Sequence, residues 1–350
     1  MLEFDSLPQV EQALRAEGFF AGGADGLVAD VFLGYALSDP LRRSVLPAPP
    51  EPCPLPRAAV RLRPRDEPGP SSRQTGTWSV GDWDRSWTDA EYAGAVEAVR
   101  DAIACGAVYQ VNLVQHLSAP FGGDPAGLAA ALAPLRPLSS RPLVGDGWAI
   151  ASASPELFLR RRGRLVSTMP NKGTRPRGVT GLTESEKDAA EHVMIVDLER
   201  NDLARVCETG SVTWPELMTP RGLAGVEHLV SRVEGVQRDD VTLTELLAAT
   251  FPGGSVTGAP KIAALDLIAA LEPVGRGASM GAYGTIQPNG DLDLVLTIRT
   301  FAVVDGHIHL WVGGGIVWDS DPVEEIEESW TKAAPLLHAI GAPLPQPVLR

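Results

Sequence analysis

Residues 281–318 read GAYGTIQPNGDLDLVLTIRTFAVVDGHIHLWVGGGIVW. Asn289-Gly290 and Asp305-Gly306 lie between apolar runs in this stretch, and such pairs suit the tight turns of antiparallel hairpins because both residues tolerate a positive φ. Three consecutive strands are therefore predicted from about 280 to 318. Just downstream, Asp321-Pro322 starts a helix, with Asp321 as cap and Pro322 in the first turn, which places Glu325, Glu328 and Lys332 on one stripe.

Upstream, the pattern alternates between the two periodicities. Thr88 with Glu91 and Thr183 with Glu186 have the spacing of capping boxes, predicting helices to about Cys105 and about Val206. Val108–Val114 alternates as a strand, and further strands are expected through 147–168. There is no internal repeat. Hairpins interleaved with long helices, without regular βαβ alternation, predict an α+β architecture rather than a doubly wound sheet. Residues 47–70 are crowded with proline, so they read as an extended linker between an N-terminal subdomain (1–85) and a main domain (86–345).

With 350 residues and 44% apolar content, the chain can bury a sizeable core. A net charge of −14 argues against nucleic acid as a partner, since phosphate binding needs clustered Lys and Arg. The opening Met-Leu-Glu-Phe-Asp lacks a signal-peptide pattern and no apolar run reaches spanning length, so a cytoplasmic protein without membrane association is expected. Cys53, Cys105 and Cys207 are too few and too scattered for a disulfide framework or a thiolate metal site.

Four segments carry candidate chemistry. In Pro170-Asn171-Lys172-Gly173-Thr174-Arg175-Pro176-Arg177, a lysine sits among turn-formers and cations. This is either a solvated basic turn or an amine held for attack on carbon, since desolvation and nearby cations free its lone pair. Asp188 with Glu191, and Glu325 with Glu328, are acidic pairs at i, i+3: each is a solvated helix face or half of a site for a hard cation such as Mg2+. The run from Phe251 to Lys261 is a glycine-rich turn entering a helix, without P-loop spacing, that could offer backbone N–H groups to an anion. Gly313-Gly314-Gly315 closes a strand and reads either as a β-bulge or as a place of close approach to a ligand.

Taken in order, Val108 to Leu113, Ser154-Pro155-Glu156, Lys172 to Arg177, Glu191-His192, Asp197 to Asp202, His228 to Ser231, Gly253 to Lys261 and Gly313 to Glu328 resemble the chorismate-utilising enzymes. The resemblance spans about residues 90–340 and implies mixed, largely antiparallel β-sheets packed face to face with helices outside. It also implies chorismate as substrate and Mg2+ as cofactor. Members that add water to chorismate have a lysine where this chain has Gln110. The anthranilate branch usually has alanine at position 172, whereas the aminodeoxychorismate branch has lysine.

The implied reaction is amination of chorismate to 4-amino-4-deoxychorismate, for para-aminobenzoate and folate or for a specialised metabolite. Glu156 would protonate the departing ring hydroxyl, Lys172 would form a covalent adduct, and His228 would orient the leaving group. Gln110, Gly173, Thr174, Thr257, Arg299, Gly313, Gly315 and Lys332 match substrate-binding positions. Glu191 and Glu328 match metal ligands, with Asp188 and Glu325 behind them. Nothing in the chain resembles an amidotransferase cysteine motif, so ammonia is expected from a separate glutamine amidotransferase subunit.

Two departures stand out. Asn171 replaces a usual isoleucine beside the nucleophile. Ser279 replaces a tyrosine that helps hold the enolpyruvyl group, so a water or Tyr283 would have to make up the reach. The alternatives are an anthranilate synthase component and a non-catalytic chorismate-binding paralogue.

Overall fold

The computed structural model describes residues 1–68, 77–176, 186–223 and 226–344, and the side chains of residues 172–176, 186–190, 221–223 and 226–228 lie outside that description. Two antiparallel sheets dominate it. The ten-stranded sheet runs, in spatial order, Leu2–Phe4, Ala58–Pro64, Leu27–Leu33, Ala282–Ile286, Leu292–Leu296, Leu157–Arg162, Leu165–Met169, Val226–Val236 and Asn171–Pro176, with Thr213–Leu223 also paired to Val226–Val236. The eight-stranded sheet runs Gly258–Ala259, Gln110–Gly123, His307–Ile316, Thr300–Val304, Trp148–Ser152 and Leu143–Val144, with Trp78–Val80 and Asp84–Arg85 on the long strand Gln110–Gly123. Ala58–Pro64 lies inside the proline-rich stretch, and through Leu27–Leu33 it is continuous with the strand Ala282–Ile286.

The packing follows strand alternation. In Thr300–Val304, Ala302 and Val304 face the core between the sheets, while Phe301 and Val303 face the opposite side, where Leu336, Leu337 and Ile340 at the C-terminal end of helix Pro322–Ala339 cover them. The eight-stranded sheet is thus buried on both faces, which explains its near-continuous apolar runs. A third cluster joins helices Asp89–Ala104 and Lys261–Leu271 to the start of the long strand through Tyr92, Val96, Val111, Leu113 and Ile268. The Thr88–Glu91 capping box forms as expected, and Asp321 accepts from Val323 N and Glu324 N. Thr183 lies outside the described residues, and the helix beyond it is described from Glu186 to Ala204.

The stretch 281–318 contains four strands rather than three. The chain leaves the ten-stranded sheet after Leu296 and enters the other at Thr300, turning at Arg299, whose φ of 51° no extended strand can hold. A second crossing runs beside it, from Trp148–Ser152 to Leu157–Arg162, through Ser154-Pro155-Glu156. The crossings are stitched together by Ala153 N to Arg299 O at 2.9 Å and Leu296 N to Glu156 O at 3.1 Å. Lys172 is also not in a loop: Asn171–Pro176 is a strand, opposite Leu229 at Lys172, with an irregular register between Lys172 and Arg175. Sheet pairing has overridden its turn-forming composition.

Candidate active site

The paired sheet crossings set two expected site residues side by side. Glu156 is buried and accepts a 2.6 Å hydrogen bond from Ser255 Oγ, on the short 3-10 turn Gly254–Val256 of the glycine-rich run. Arg299 is held in the neighbouring crossing. Burial pulls its guanidinium below the ordinary value, and the Glu156 charge opposes that shift. Asn171 Nδ2 donates to Pro155 O at 3.0 Å, tethering the strand that carries Lys172 to the crossing that carries Glu156. The side chains of Lys172, Thr174, Asp188 and His228 lie outside the described residues. In the backbone, Lys172 is opposite Leu229 and His228 is opposite Arg221.

Gln110 opens the long strand and is buried, donating through Nε2 to Glu191 Oε1 at 2.6 Å. Among the described residues its buried amide oxygen has no hydrogen-bond partner. The strand His307–Ile316 runs through Gly313, Gly314 and Gly315 in unbroken register with Val114, Leu113 and Asn112, so the β-bulge reading is excluded. On its other side, Thr300–Val304 pairs only from His307 to Leu310, which leaves the three glycines on a half-open edge among the described residues. A Cβ at Gly315 would collide with the Gln110 amide and lie 2.6 Å from Glu191 Oε1. A Cβ at Gly314 would lie 3.1 Å from Glu325 Oε2 and 3.7 Å from Glu328 Oε1.

Consecutive glycines thus cradle Glu191 on one face of the strand and Glu325 with Glu328 on the other. Carboxylate oxygens are the donors a hard divalent cation takes, so the residue types fit Mg2+. Among the described residues, no three Asp, Glu, His or Cys side chains converge closely enough to hold a metal ion. The carboxylates have protein partners: Ser320 Oγ donates to Glu325 at 2.6 Å, and Lys332 pairs with Glu328 at 2.6 Å while donating to Gly313 O at 2.8 Å.

The remaining expected residues are scaffolding in this arrangement. Thr257 is fully buried and its hydroxyl donates to Gly253 O at 2.9 Å. Ser279 Oγ donates to Thr297 O at 3.3 Å, and burial pushes Tyr283 up to about 12, with its hydroxyl against Ser139. Tyr283 is therefore engaged elsewhere, and the hydroxyl missing at position 279 is not replaced from that side.

Four partners escaped the sequence reading. Ser255 stands in sequence only as part of a glycine-rich turn, and Asn171 only as a departure beside the nucleophile. Arg276 is fully buried, bonds both carboxylate oxygens of Glu272 at 2.7 and 2.9 Å, and caps Asn112 O and Val256 O. His192 is fully buried, with Nε2 2.5 Å from Ser231 Oγ, joining the helix of Glu191 to the strand of His228. Only pairwise tertiary contacts distinguish these from ordinary polar residues.

Residues 48–338 match the family model described as chorismate binding enzyme. Anthranilate synthase component 1 of Thermus thermophilus is 42% identical over 259 residues, covering 71% of this chain and 56% of that protein. Aminodeoxychorismate synthase component 1 of Bacillus subtilis is 36% identical over 283 residues, covering 78% of this chain and 60% of that protein. The chain spans little more than half the length of these curated relatives. The crystal structure of anthranilate synthase component I from Streptococcus pneumoniae superimposes with a TM-score of 0.78 at 28% identity, covering 89% of this chain and 80% of that one. No helix among the described residues is long and apolar enough to cross a membrane. With the family model covering most of the chain, and the antiparallel fold matching the streptococcal structure, this protein belongs to the chorismate binding enzyme family.

Proposed function

We propose that the chain is the component I of an aminodeoxychorismate synthase, converting chorismate and ammonia to 4-amino-4-deoxychorismate. The observation that carries this reading is the Asn171–Pro155 hydrogen bond, which couples the strand of a lysine at position 172 to the crossing that holds a buried carboxyl. A nucleophile and an acid on tethered segments suit two successive displacements.

Lys172 Nζ attacks ring carbon 2, the double bonds shift, and the hydroxyl at carbon 4 leaves as water with the proton of Glu156. Ammonia then bonds carbon 4, the double bonds shift back, and Lys172 is expelled from carbon 2. The proton lost by the new ammonium group restores the site. Arg299 pairs with the enolpyruvyl carboxylate, aided by the backbone N–H groups of Gly313 and Gly315 on the half-open edge. Thr257 and Lys332 fix the walls around it, Gly173 and Thr174 match substrate-binding positions of the family, and His228 would orient the leaving hydroxyl. Gln110 holds Glu191 and leaves no amine at the position where water-adding relatives carry a base. Glu191 and Glu328, with Asp188 and Glu325, would hold Mg2+, whose charge would offset the ring carboxylate. A separate glutamine amidotransferase subunit would supply ammonia.

A second reading, anthranilate synthase component I, is favoured by the higher identity to the Thermus protein. Incubation with chorismate, Mg2+ and ammonium separates the two. Aminodeoxychorismate is the expected product, and anthranilate with pyruvate would overturn the assignment. Lys172→Ala should abolish ammonium-dependent turnover, and intact-protein mass spectrometry of the wild type with chorismate should detect the adduct.

A further inference from the structure

Behind Glu156 lies a second carboxyl that the scheme above does not use. Glu199, on helix Glu186–Ala204, is buried and accepts a 2.8 Å hydrogen bond from Thr168 Oγ1, on strand Leu165–Met169. It lines a small cavity of about 10 Å3 with Phe158, Thr168, Asp202, Thr250 and Gly253–Gly254. That volume suits about one water. The same glycines lead directly into Ser255, the hydroxyl donor to Glu156. Among the described residues the charged groups facing Glu199 are Glu156, Asp202 and Lys261, and Lys261 Nζ is engaged at 2.6 Å by Asp202 and at 3.2 Å by Thr250 O. Lys261 is thus turned toward Asp202, Arg299 faces Glu156 from the neighbouring crossing, and the two buried carboxyls lie on either side of one glycine turn. Two such groups resist double ionisation, because both are buried away from bulk solvent.

We propose that Glu199 is a positioning residue that forms a proton-holding carboxyl pair with Glu156, keeping a proton at the site for the departing hydroxyl. Burial, reinforced by the Glu156 and Asp202 charges, pushes the Glu199 carboxyl up to about 8, against the Thr168 hydrogen bond and the Lys261 charge, so it is protonated at neutral pH. In the balance, the pair gives one proton as the carbon–oxygen bond breaks and water forms. The pair regains one proton when the new carbon–nitrogen bond forms and the ammonium group becomes an amine.

This inference rests on Glu156 as the acid, so its test separates pairing from turnover. Pairing is read on the resting protein, with 13C-labelled glutamate carboxyls followed by NMR. One signal should titrate near pH 8, vanish in Glu199→Gln, and titrate about one pH unit lower or more in Glu156→Gln. Absence of that signal, or its indifference to Glu156→Gln, overturns the pair even where Glu199→Gln fails to fold. In kinetics, Glu199→Gln preserves the Thr168 hydrogen bond but cannot carry the proton. The alkaline limb of kcat for chorismate consumption should move about one pH unit lower, with about tenfold loss above pH 8 and KM within about twofold. A pH profile superimposable on wild type refutes the role. Wild-type protein that consumes no chorismate overturns the functional reading and the kinetic role with it, while the pair itself is judged by the carboxyl titration alone.

Discussion

Asn171 donates its side-chain amide to the carbonyl oxygen of Pro155 at 3.0 Å, so the residue before Lys172 is tied to the residue before Glu156. An isoleucine, usual in relatives, cannot make this bond. The asparagine thereby adds a tether between the two segments. Asn171→Leu removes the tether without loss of volume. A net hydrogen bond is worth about 1 kcal/mol, so kcat with ammonium should fall by about fivefold to tenfold while KM for chorismate changes less than about twofold. An unchanged kcat would show that the strand is aligned by sheet pairing alone.

Gly315 tests the cradle. Its missing side chain makes room for the Gln110 amide and the Glu191 carboxylate, and it is not among the residues held at positive φ. Gly315→Ala should therefore fold but separate Gln110 from Glu191, lowering kcat/KM by about a hundredfold. Thermal melting shifted by only a few degrees would confirm that the loss is local.

Arg276 is the buried clamp between the long strand and the glycine-rich turn, stacked 4.6 Å from the Tyr35 ring centroid. Burial depresses its charge, but the Glu272 carboxylate more than compensates and holds it protonated. Arg276→Met alone strands the Glu272 charge and should cost about 3–5 kcal/mol in urea denaturation. The Arg276→Met, Glu272→Leu double variant should recover part of that. Arg276→Lys should not match wild type, because an ammonium cannot make the forked contacts.

Acid stability should report a histidine pair. His116 Nε2 and His309 Nδ1 lie 3.0 Å apart in the eight-stranded sheet, with the two imidazoles stacked and Trp311 against both rings. Burial, then the neighbouring histidine charge, holds His116 down at about 3 and His309 at about 4. Both folded values lie below the unfolded value of about 6.5, so the unfolded chain binds the protons first. The stabilisation is fully present above about pH 6.5 and is lost as pH falls through 4 toward 3, by up to about 1.4 kcal/mol per pH unit for each histidine. His309→Phe should flatten the urea midpoint between pH 4 and 6.5, and an unaltered slope would refute the assignment.

The antiparallel class was legible because Asn289-Gly290 and Asp305-Gly306 state their turns locally, and Thr88, Glu91 and Asp321 state their helix starts. Local backbone chemistry suffices for such features. The switch between sheets at Arg299 was not legible, since no glycine or proline marks it. A left-handed arginine is tolerated there because the paired crossing through Ser154–Glu156 holds it.

The sequence by itself determined which chemistry is possible: a lysine at 172, carboxyls at 156, 191, 325 and 328, and glycines at 313–315, in an order that marks the family. Tertiary structure alone decided which of these meet. Glu156 and Arg299 become neighbours because two distant strands change sheets side by side. Glu191 reaches the strand that Glu325 and Glu328 reach from the other face because Gly314 and Gly315 carry no Cβ. The Glu199 carboxyl is pushed up by burial and by the charge of a residue 43 positions earlier in the chain, which no local pattern encodes.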